Sequence, residues 1–230
     1  MADALRRKSD VVHKELVLML LAFASATTDV LSFLALSDVF TSGMTGNTAL
    51  LGMAVGQGRA LAASRSLAAL LGFVLGVVAG TLARSPGDHP RKLAAVLAVE
   101  ALCLGLFAGL WHGFDRPAGA GIVYALIFLS ALGMGVQIIA ARQVNLPGIP
   151  TIVFTSTIAN VVMLATDAVV RRRAMPVDAL RQSAVFAVYL AGAVLAGWLA
   201  SRALGILVLL PLGAVLGALA LQLRPSPAIS

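Results

Sequence analysis

The sequence predicts an all-α polytopic membrane protein with one membrane domain over residues 1–230. Hydrophobic residues make up 60% of the chain, charged residues only 12%, and the mean hydropathy is +0.96. Apolar runs of roughly 20 residues, the length that crosses a bilayer core, recur between the charged clusters. Because unpaired backbone groups are costly in hydrocarbon, we expect these runs to be helices.

Eight helical segments are predicted, each about long enough for one crossing. In chain order they are Leu16–Leu36, Phe40–Gln57, Ser64–Arg84, Leu93–Trp111, Gly119–Ala141, Pro150–Val170, Leu180–Ala203 and Ile206–Leu223. Residues 1–15 are predicted to be a cytoplasmic tail. An export signal is disfavoured, because the first apolar run continues well past the cleavage-like residues 24–26.

The basic charge of the chain is predicted to set membrane orientation. The 17 Lys and Arg outnumber the 10 Asp and Glu, but they are scattered over short connections instead of being gathered on one domain. This distribution argues against nucleic acid as a partner and, by the positive-inside rule, predicts that both termini are cytoplasmic. Metal sites, cofactors and enzyme activity are not expected, since paired-histidine helix motifs, nucleophile elbows and phosphate loops are absent from the sequence.

Two halves, residues 16–112 and 119–223, can be aligned by residue type. Ser25 to Asp29 matches 133–137, which pairs Asp29 with Gln137, and residues 45–47 match residues 155–157. Small residues recur at every fourth position in the later segments of both halves, where we predict close helix packing, with a transport hinge as the alternative. These residues are Gly72, Gly76, Gly80, Gly105, Gly109 and Gly113 in the first half, and Ala193, Gly197, Gly213 and Gly217 in the second.

A polar, glycine-rich patch at Phe40–Asn47 stands out in the apolar sequence. It is too polar for a lipid-facing helix, so it must face protein or water. One interpretation is a broken helix lining a substrate site, with Thr45 or Asn47 capping the restarted helix. The other is a tight turn at the outer surface, followed by an ordinary helix from Met44. In the second patch, Thr151 to Asn160, we expect Asn160 to line a pathway or to bond between helices.

Asp29 and Glu100 are the two acids predicted to lie deep in the membrane. An ionisable side chain at such a depth costs about 2.5 to 3.5 kcal/mol on insertion scales, so it is expected to serve a purpose. Both are candidates for coupling transport to protons. The alternative for each is a structural carboxyl group that is neutral or hydrogen-bonded within the bundle.

The chain resembles the YoaK family of bacterial membrane proteins, named for a domain of unknown function. The resemblance is carried by Asp29 with the following 31–36, by Val39–Thr48, by Gly135–Gln137 and by Thr151–Thr157. One departure is Thr155-Ser156-Thr157, where the family usually has Thr-Gly-Thr. The resemblance implies a protein of the bacterial inner membrane without a settled substrate. The family is commonly described with six spans.

Six crossings are therefore a real alternative, in which Phe40–Gln57 and Pro150–Val170 enter the bilayer without crossing and the halves become inverted repeats. We favour eight crossings, because each disputed segment has the length for one helix. The function we predict is a small-molecule permease or channel-like transporter, with a scaffold or partner-binding subunit as the rival. The expected partners are the bilayer and an unknown small-molecule substrate, with a homo-oligomer left open. The predicted lining residues are Asp29, Thr45, Gly46, Asn47, Gln137, Thr155, Ser156, Thr157 and Asn160.

Overall fold

The computed structural model describes residues 2–84, 90–114, 119–144, 146 and 154–223, and every regular element within them is an α-helix. The eight predicted helices are confirmed. Their bounds are α1 Ala2–Ala35, α2 Met44–Gly56, α3 Ala60–Ala83, α4 Pro90–Gly113, α5 Ala120–Val144, α6 Phe154–Val170, α7 Val177–Ala200 and α8 Leu204–Leu223. Residues 2–15, predicted as a cytoplasmic tail, are helical and form the first turns of α1, whose apolar span begins at Ser9.

Six of the helices are long and apolar enough to cross a membrane, judged by length and composition. These spans are Ser9–Ala35, Ala60–Ala83, Lys92–Gly113, Gly121–Val144, Val177–Ala200 and Leu204–Leu223. The two disputed segments are shorter. α2 has 13 residues, about 20 Å of helix at 1.5 Å per residue, and α6 has 17.

The direction of each long helix can be read from two hydrophobic core clusters at opposite ends of the bundle. In the first core cluster α1 contributes residues 17–24, and in the second it contributes residues 31–36. α4 runs through the two clusters in the same order as α1, with Leu97 in the first cluster and Phe107 in the second. α5 and α8 run in the opposite order: their earlier residues Leu126 and Leu207 are in the second cluster, and their later residues Met134 and Ala214 are in the first. α1 and α4 are therefore antiparallel to α5 and α8.

The two remaining long helices follow their neighbours. Gly72, Gly76 and Gly80 of α3 lie against residues 128, 132 and 139 of α5 in turn, so α3 is parallel to α5. On α7, Arg181 contacts Glu15, and Gly192 lies against residues 23 and 26, so α7 is parallel to α1. Hence α3 is antiparallel to α1, and α7 is antiparallel to α5.

These directions correct the preference for eight crossings. Since α1 and α3 are antiparallel, the chain between them, which contains α2, leaves and returns at the same end of the bundle. The chain between α5 and α7, which contains α6, does the same at the opposite end. α2 packs on α3 and α6 packs on α7, so each short helix lies beside the long helix that follows it.

The glycines of α3 form a close seam with α5. A Cβ atom added at Gly72 would lie 2.7 Å from the carbonyl oxygen of Phe128, and one at Gly76 would collide with the carbonyl oxygen of Leu132. Only a glycine lets the two backbones approach this closely. The packing role predicted for Gly72, Gly76 and Gly80 is thus seen in the structure.

Several other small residues do not pack as predicted. At four positions on α4 or α8, a Cβ atom would meet none of the described residues within 4 Å: Gly105, Gly109, Gly113 and Gly213. Gly217 makes only ordinary contact with Leu20, at 3.6 Å. On α7 the buried small residues are Gly192 and Ala196, whereas Gly197 is exposed. The stripe predicted on α7 lies one residue after the buried one in the sequence. One residue corresponds to a rotation of about 100° around the helix, so the predicted stripe is on the wrong face.

Candidate functional site

The chain reverses direction directly after α1. Ser37 and Asp38 have positive φ angles of 73° and 61°, and the Asp38 amide donates to the Phe33 carbonyl oxygen at 3.1 Å. Two consecutive left-handed residues other than glycine are uncommon and end the helix abruptly. Residues 37–43, here called the return segment, then run back along α1, and the rings of Phe33 and Phe40 stack with centroids 4.9 Å apart.

Asp29 holds the return segment inside the bundle. Its Oδ1 accepts hydrogen bonds from the backbone amides of Thr41 at 3.0 Å and Ser42 at 2.7 Å. Its Oδ2 accepts from the Ser42 hydroxyl and from the Tyr189 hydroxyl of α7 at 3.3 Å. The Asp29 side chain is only 4% exposed. Both carboxylate oxygens of Asp29 accept hydrogen bonds from nearby donors. Asp29 therefore provides the acceptor for two buried backbone amides that have no partner in a regular helix.

Hydroxyl groups extend this contact into a polar layer between the two core clusters. Ser25 donates to the Ser42 hydroxyl at 2.8 Å, and the hydroxyl oxygens of Ser32 and Thr41 lie 3.1 Å apart. From α5, Ser130 donates to the Thr41 hydroxyl at 3.1 Å. We call this group the Asp29 layer: Ser25, Asp29, Ser32, Thr41, Ser42, Ser130 and Tyr189. It joins α1, the return segment, α5 and α7.

The Thr45-Gly46-Asn47 corner fixes the start of α2. The fully buried Asn47 side chain accepts from the Phe40 amide at 2.9 Å and donates to the Phe40 carbonyl oxygen. A Cβ at Gly46 would lie 3.1 Å from the Phe40 ring, whereas Thr45 is exposed. The expected capping by Thr45 or Asn47 is wrong, because the helix is preceded by Gly43 without a side-chain cap. α2 does begin at Met44, and the tight turn before it, at Ser37 and Asp38, is exposed, as the second interpretation expected; the residues that follow this turn fold back onto Asp29.

The second polar patch belongs to a different contact. Asn160 on α6 donates to the side-chain oxygen of Gln182 on α7 at 2.9 Å, so it has the interhelical role that was one of its two expectations. Thr157 is buried and Ser156 is exposed. Residues 151–153 and the side chain of Thr155 lie outside the described residues.

Gln137 does not join Asp29, although the two halves align them. Its Nε2 donates to the carbonyl oxygen of Leu21 at 2.6 Å, eight residues before Asp29 on α1. Eight residues are about 12 Å along a helix. The predicted lining residues thus divide into the Asp29 layer with its Asn47 corner, the contact of Gln137 with α1, and the contact of α6 with α7.

Glu100 differs from Asp29 in having no hydrogen-bond partner in the described part of the chain. It is fully buried near the middle of α4, and among the described residues neither of its carboxylate oxygens has a hydrogen-bond partner. The Oε1 atom of Gln137 is likewise buried and unpaired within the described part of the chain. Groups of three or more His, Cys, Asp or Glu that could hold a metal do not occur in the described ranges.

Three contributors to these contacts were missed from the sequence: Ser130, Gln182 and Tyr189. Tyr189 offered one signal, since it is one of only two tyrosines and lies within an apolar segment. Its link to Asp29, 160 residues away, depends on the parallel packing of α1 and α7. A cleft of about 210 Å³ also lies between these helices, beside Glu15 and Arg181 and remote from the Asp29 layer.

The family model described as "Protein of unknown function (DUF1275)" matches residues 17–228. A curated relative, "UPF0700 transmembrane protein YoaK" of Bacillus subtilis (strain 168), is 36% identical over 151 residues, which cover 64% of this chain and 65% of that relative. The match therefore spans slightly less than two thirds of the relative. No solved structure matches the chain.

Proposed function

We propose that this chain, which belongs to the DUF1275 family of membrane proteins, is a small-molecule permease or channel-like transporter without enzymatic activity. The family match and the identity to YoaK confirm the resemblance found in the sequence. The observation that carries the proposal is the return segment, which is held within the bundle by Asp29.

The position of the return segment supports a transport role. Non-helical backbone at membrane depth is tolerated only where protein buries it or where it lines a cavity. Interrupted segments of this kind form the substrate sites of many secondary transporters. Both oxygens of Asp29 are occupied by donors of the chain itself. A solute can therefore bind at the Asp29 layer only if the return segment moves.

The helix directions support a proposal of inverted repeats. The long helices of residues 16–112 are α1, α3 and α4, and those of residues 119–223 are α5, α7 and α8. The two triplets run in opposite directions. The packing is also equivalent in the two halves when α1 to α4 are matched in order with α5 to α8. The contact of α1 with α7 then corresponds to the contact of α5 with α3, and the contact of α2 with α3 corresponds to that of α6 with α7. Alternating access in such proteins is largely a rocking of one repeat against the other.

The charge distribution supports an inner-membrane orientation with both termini in the cytoplasm. At the end of the bundle where α1 begins, the described helices and loops carry Arg6, Arg7, Lys8, Lys14, Arg84, Arg91, Lys92, Arg142, Arg171, Arg172, Arg173 and Arg181. The opposite end carries Arg59, Arg65 and Arg202. The positive-inside rule assigns the first end to the cytoplasm. The return segment then lies on the periplasmic side and α6 on the cytoplasmic side.

A reversible crosslink tests whether the return segment must move. The hydroxyl oxygens of Ser25 and Ser42 are 2.8 Å apart, so cysteines at both positions are close enough for a disulfide. The variant carries Ser25→Cys, Ser42→Cys and Cys103→Ser, the last to remove the one native cysteine. Cells with and without the protein are compared for uptake and efflux of a metabolite panel. We expect oxidation to abolish the flux and a reductant to restore it.

Matched variants complete this test. The two single-cysteine variants in the Cys103→Ser background should keep their flux under oxidation. Asp29→Asn retains an oxygen for the two backbone amides, and the hydroxyls of Ser42 and Tyr189 can rotate to accept from its amide, so it removes the ionisable group with little change in fold. Flux that depends on a proton gradient in the native protein but not in Asp29→Asn would support coupling through this acid. If the inserted protein changes no flux, and Asp29→Asn abolishes capture of a protein partner, the chain is a scaffold.

A further inference from the structure

The interior of the bundle contains a second polar site that the return segment does not touch. Its members are the two carboxylate oxygens of Glu100 on α4 and the Oε1 atom of Gln137 on α5. Glu100 is 0% exposed and Gln137 is 4% exposed. All three oxygens are acceptors without a donor among the described residues. Buried polar groups are normally paired, so this concentration of unpaired acceptors requires an explanation.

The two side chains lie at the same level on facing helices. α4 and α5 are antiparallel neighbours, and a Cβ at Gly133 would lie 3.5 Å from the side chains of Cys103 and Leu104. Gln137 is one turn beyond Gly133 on the same face of α5. Glu100 is one turn before Leu104 on the same face of α4. Because the helices run in opposite directions, both steps lead toward the same end of the bundle.

The Gln137 amide has a fixed orientation. Its Nε2 atom donates to the carbonyl oxygen of Leu21 at 2.6 Å. A flipped amide would place an acceptor against that carbonyl oxygen, so Oε1 must remain the free end. A deprotonated Glu100 cannot satisfy Gln137 Oε1, and among the described residues neither Glu100 oxygen accepts from the Gln137 amide. The site therefore has an excess of acceptors.

The described helices around Glu100 provide no cation bonded to it. In the first core cluster, α1 contributes Val17 to Ala24, α5 contributes Met134 to Val144, and α8 contributes Ala214 to Ala218. The polar side chains in these stretches are Gln137, Arg142 and Gln143, and Arg142 is exposed near the end of α5. From α3 the residues packed against the cluster are Phe73, Val77, Ala79 and Ala83. Cys103, one turn along α4, is the titratable neighbour of Glu100, and among the described residues no Lys, Arg or His bonds Glu100.

From this geometry we infer that Glu100 and Gln137 form a binding site for a small monovalent cation, either a proton or an alkali ion. A cation is the species that three buried acceptor oxygens can share, and it would neutralise the one negative charge in an apolar cluster. With the return segment in place, Asp29 is not such a site, because its oxygens are already supplied with donors. The inference stands whether or not the protein transports a solute.

The test uses the purified full-length protein in lipid nanodiscs. Melting temperature is measured against Na⁺, with choline keeping the ionic strength constant, and infrared spectra are recorded for the band of a protonated carboxylic acid. The variants are Glu100→Gln, which keeps the shape, and Gln137→Leu, which removes one acceptor. Asp167→Asn is the matched control, since Asp167 is an exposed acid paired with Arg171 on α6.

Two outcomes support the site and distinguish the cation. Na⁺ that raises the melting temperature of the native protein, but not that of Glu100→Gln, identifies an alkali ion. A protonated-acid band that disappears only in Glu100→Gln identifies a proton. With either cation, Gln137→Leu should weaken binding about tenfold or more, which also serves as the test if Glu100→Gln does not fold. Native protein that responds to Na⁺ no differently from Glu100→Gln, and has no such band, overturns the inference. These measurements involve no flux, so their failure is separate from failure of the proposed transport.

Discussion

Asp29 and Glu100 are both buried acids in membrane-spanning helices, but their surroundings are opposite. Asp29 accepts two backbone amides and two hydroxyls, so it is part of the scaffold that holds the return segment. Glu100 is more deeply buried and has no donor among the described residues. The difference shows that depth in the membrane does not by itself identify a functional acid. What decides is whether the fold already supplies its partners.

The largest effect should come from removing the anchor. Asp29→Ala leaves the amides of Thr41 and Ser42 buried without an acceptor, at about 1 to 3 kcal/mol each. We expect a loss of about 3 kcal/mol or more in unfolding free energy, measured by denaturation in mild detergent. A cysteine at Ser42, in a Cys103→Ser background, should also become reactive to a thiol reagent. Retained stability in Asp29→Ala would contradict an anchoring role.

The Asn47 corner should come next. Asn47→Ala removes both side-chain hydrogen bonds to the backbone of Phe40, and we expect a loss of about 1 to 2 kcal/mol by the same denaturation measurement. Thr45→Ala is the control, because Thr45 is exposed and should change stability by less than about 0.5 kcal/mol. Equal effects of the two substitutions would show that the corner is not held by Asn47.

Glu100 should respond with the opposite sign. In Na⁺-free buffer, Glu100→Gln replaces a buried acid, which has no donor among the described residues, by a neutral side chain of the same shape. The unfolding free energy should stay unchanged or rise by up to about 1 kcal/mol. A loss as large as that of Asp29→Ala would mean that Glu100 has a structural partner, and the contrast between the two acids would fail.

The smallest effect should come from the rim of the Asp29 layer. Tyr189→Phe removes one hydrogen bond of 3.3 Å to a carboxylate that keeps three others, so we expect a loss of about 0.5 kcal/mol. Tyr124→Phe is the matched control, since the Tyr124 hydroxyl bonds Ser64 between α3 and α5. Only Tyr189→Phe should increase the thiol reactivity of a cysteine at position 42. An equal increase in both variants would indicate a general loosening of the bundle.

Local features were well predicted from the sequence, whereas relations between segments were not. Long apolar runs predicted the helices, and the polarity of Phe40–Asn47 correctly indicated a segment buried against protein. Helix crossing was misjudged, because a segment of 18 residues has the same length whether it crosses or returns. The α7 stripe was wrong by one residue, since Gly192, Ala193, Ala196 and Gly197 all fit a spacing of four and only the neighbouring α1 selects a face.

The alignment of Asp29 with Gln137 had a similar limit. Residue type placed both at matching positions of the two halves, and each does bond to a backbone group of another segment. The two residues lie far apart because α1 and α5 run in opposite directions. Positions that match in the sequence therefore lie toward opposite ends of the bundle. Tyr189 reaches Asp29, and Ser130 reaches Thr41, only through this arrangement.

By itself the sequence determined that the protein lies in a bilayer, which segments are helices and which acids are buried, because hydropathy and helical length are properties of each segment alone. The tertiary structure decided which segments return to the side they left, which face of each helix is packed, and which acid has donors. Those outcomes depend on atoms supplied by helices distant in the chain. Hydrogen-bond pairing in an apolar interior therefore separates Asp29 from Glu100, although the sequence presents them alike.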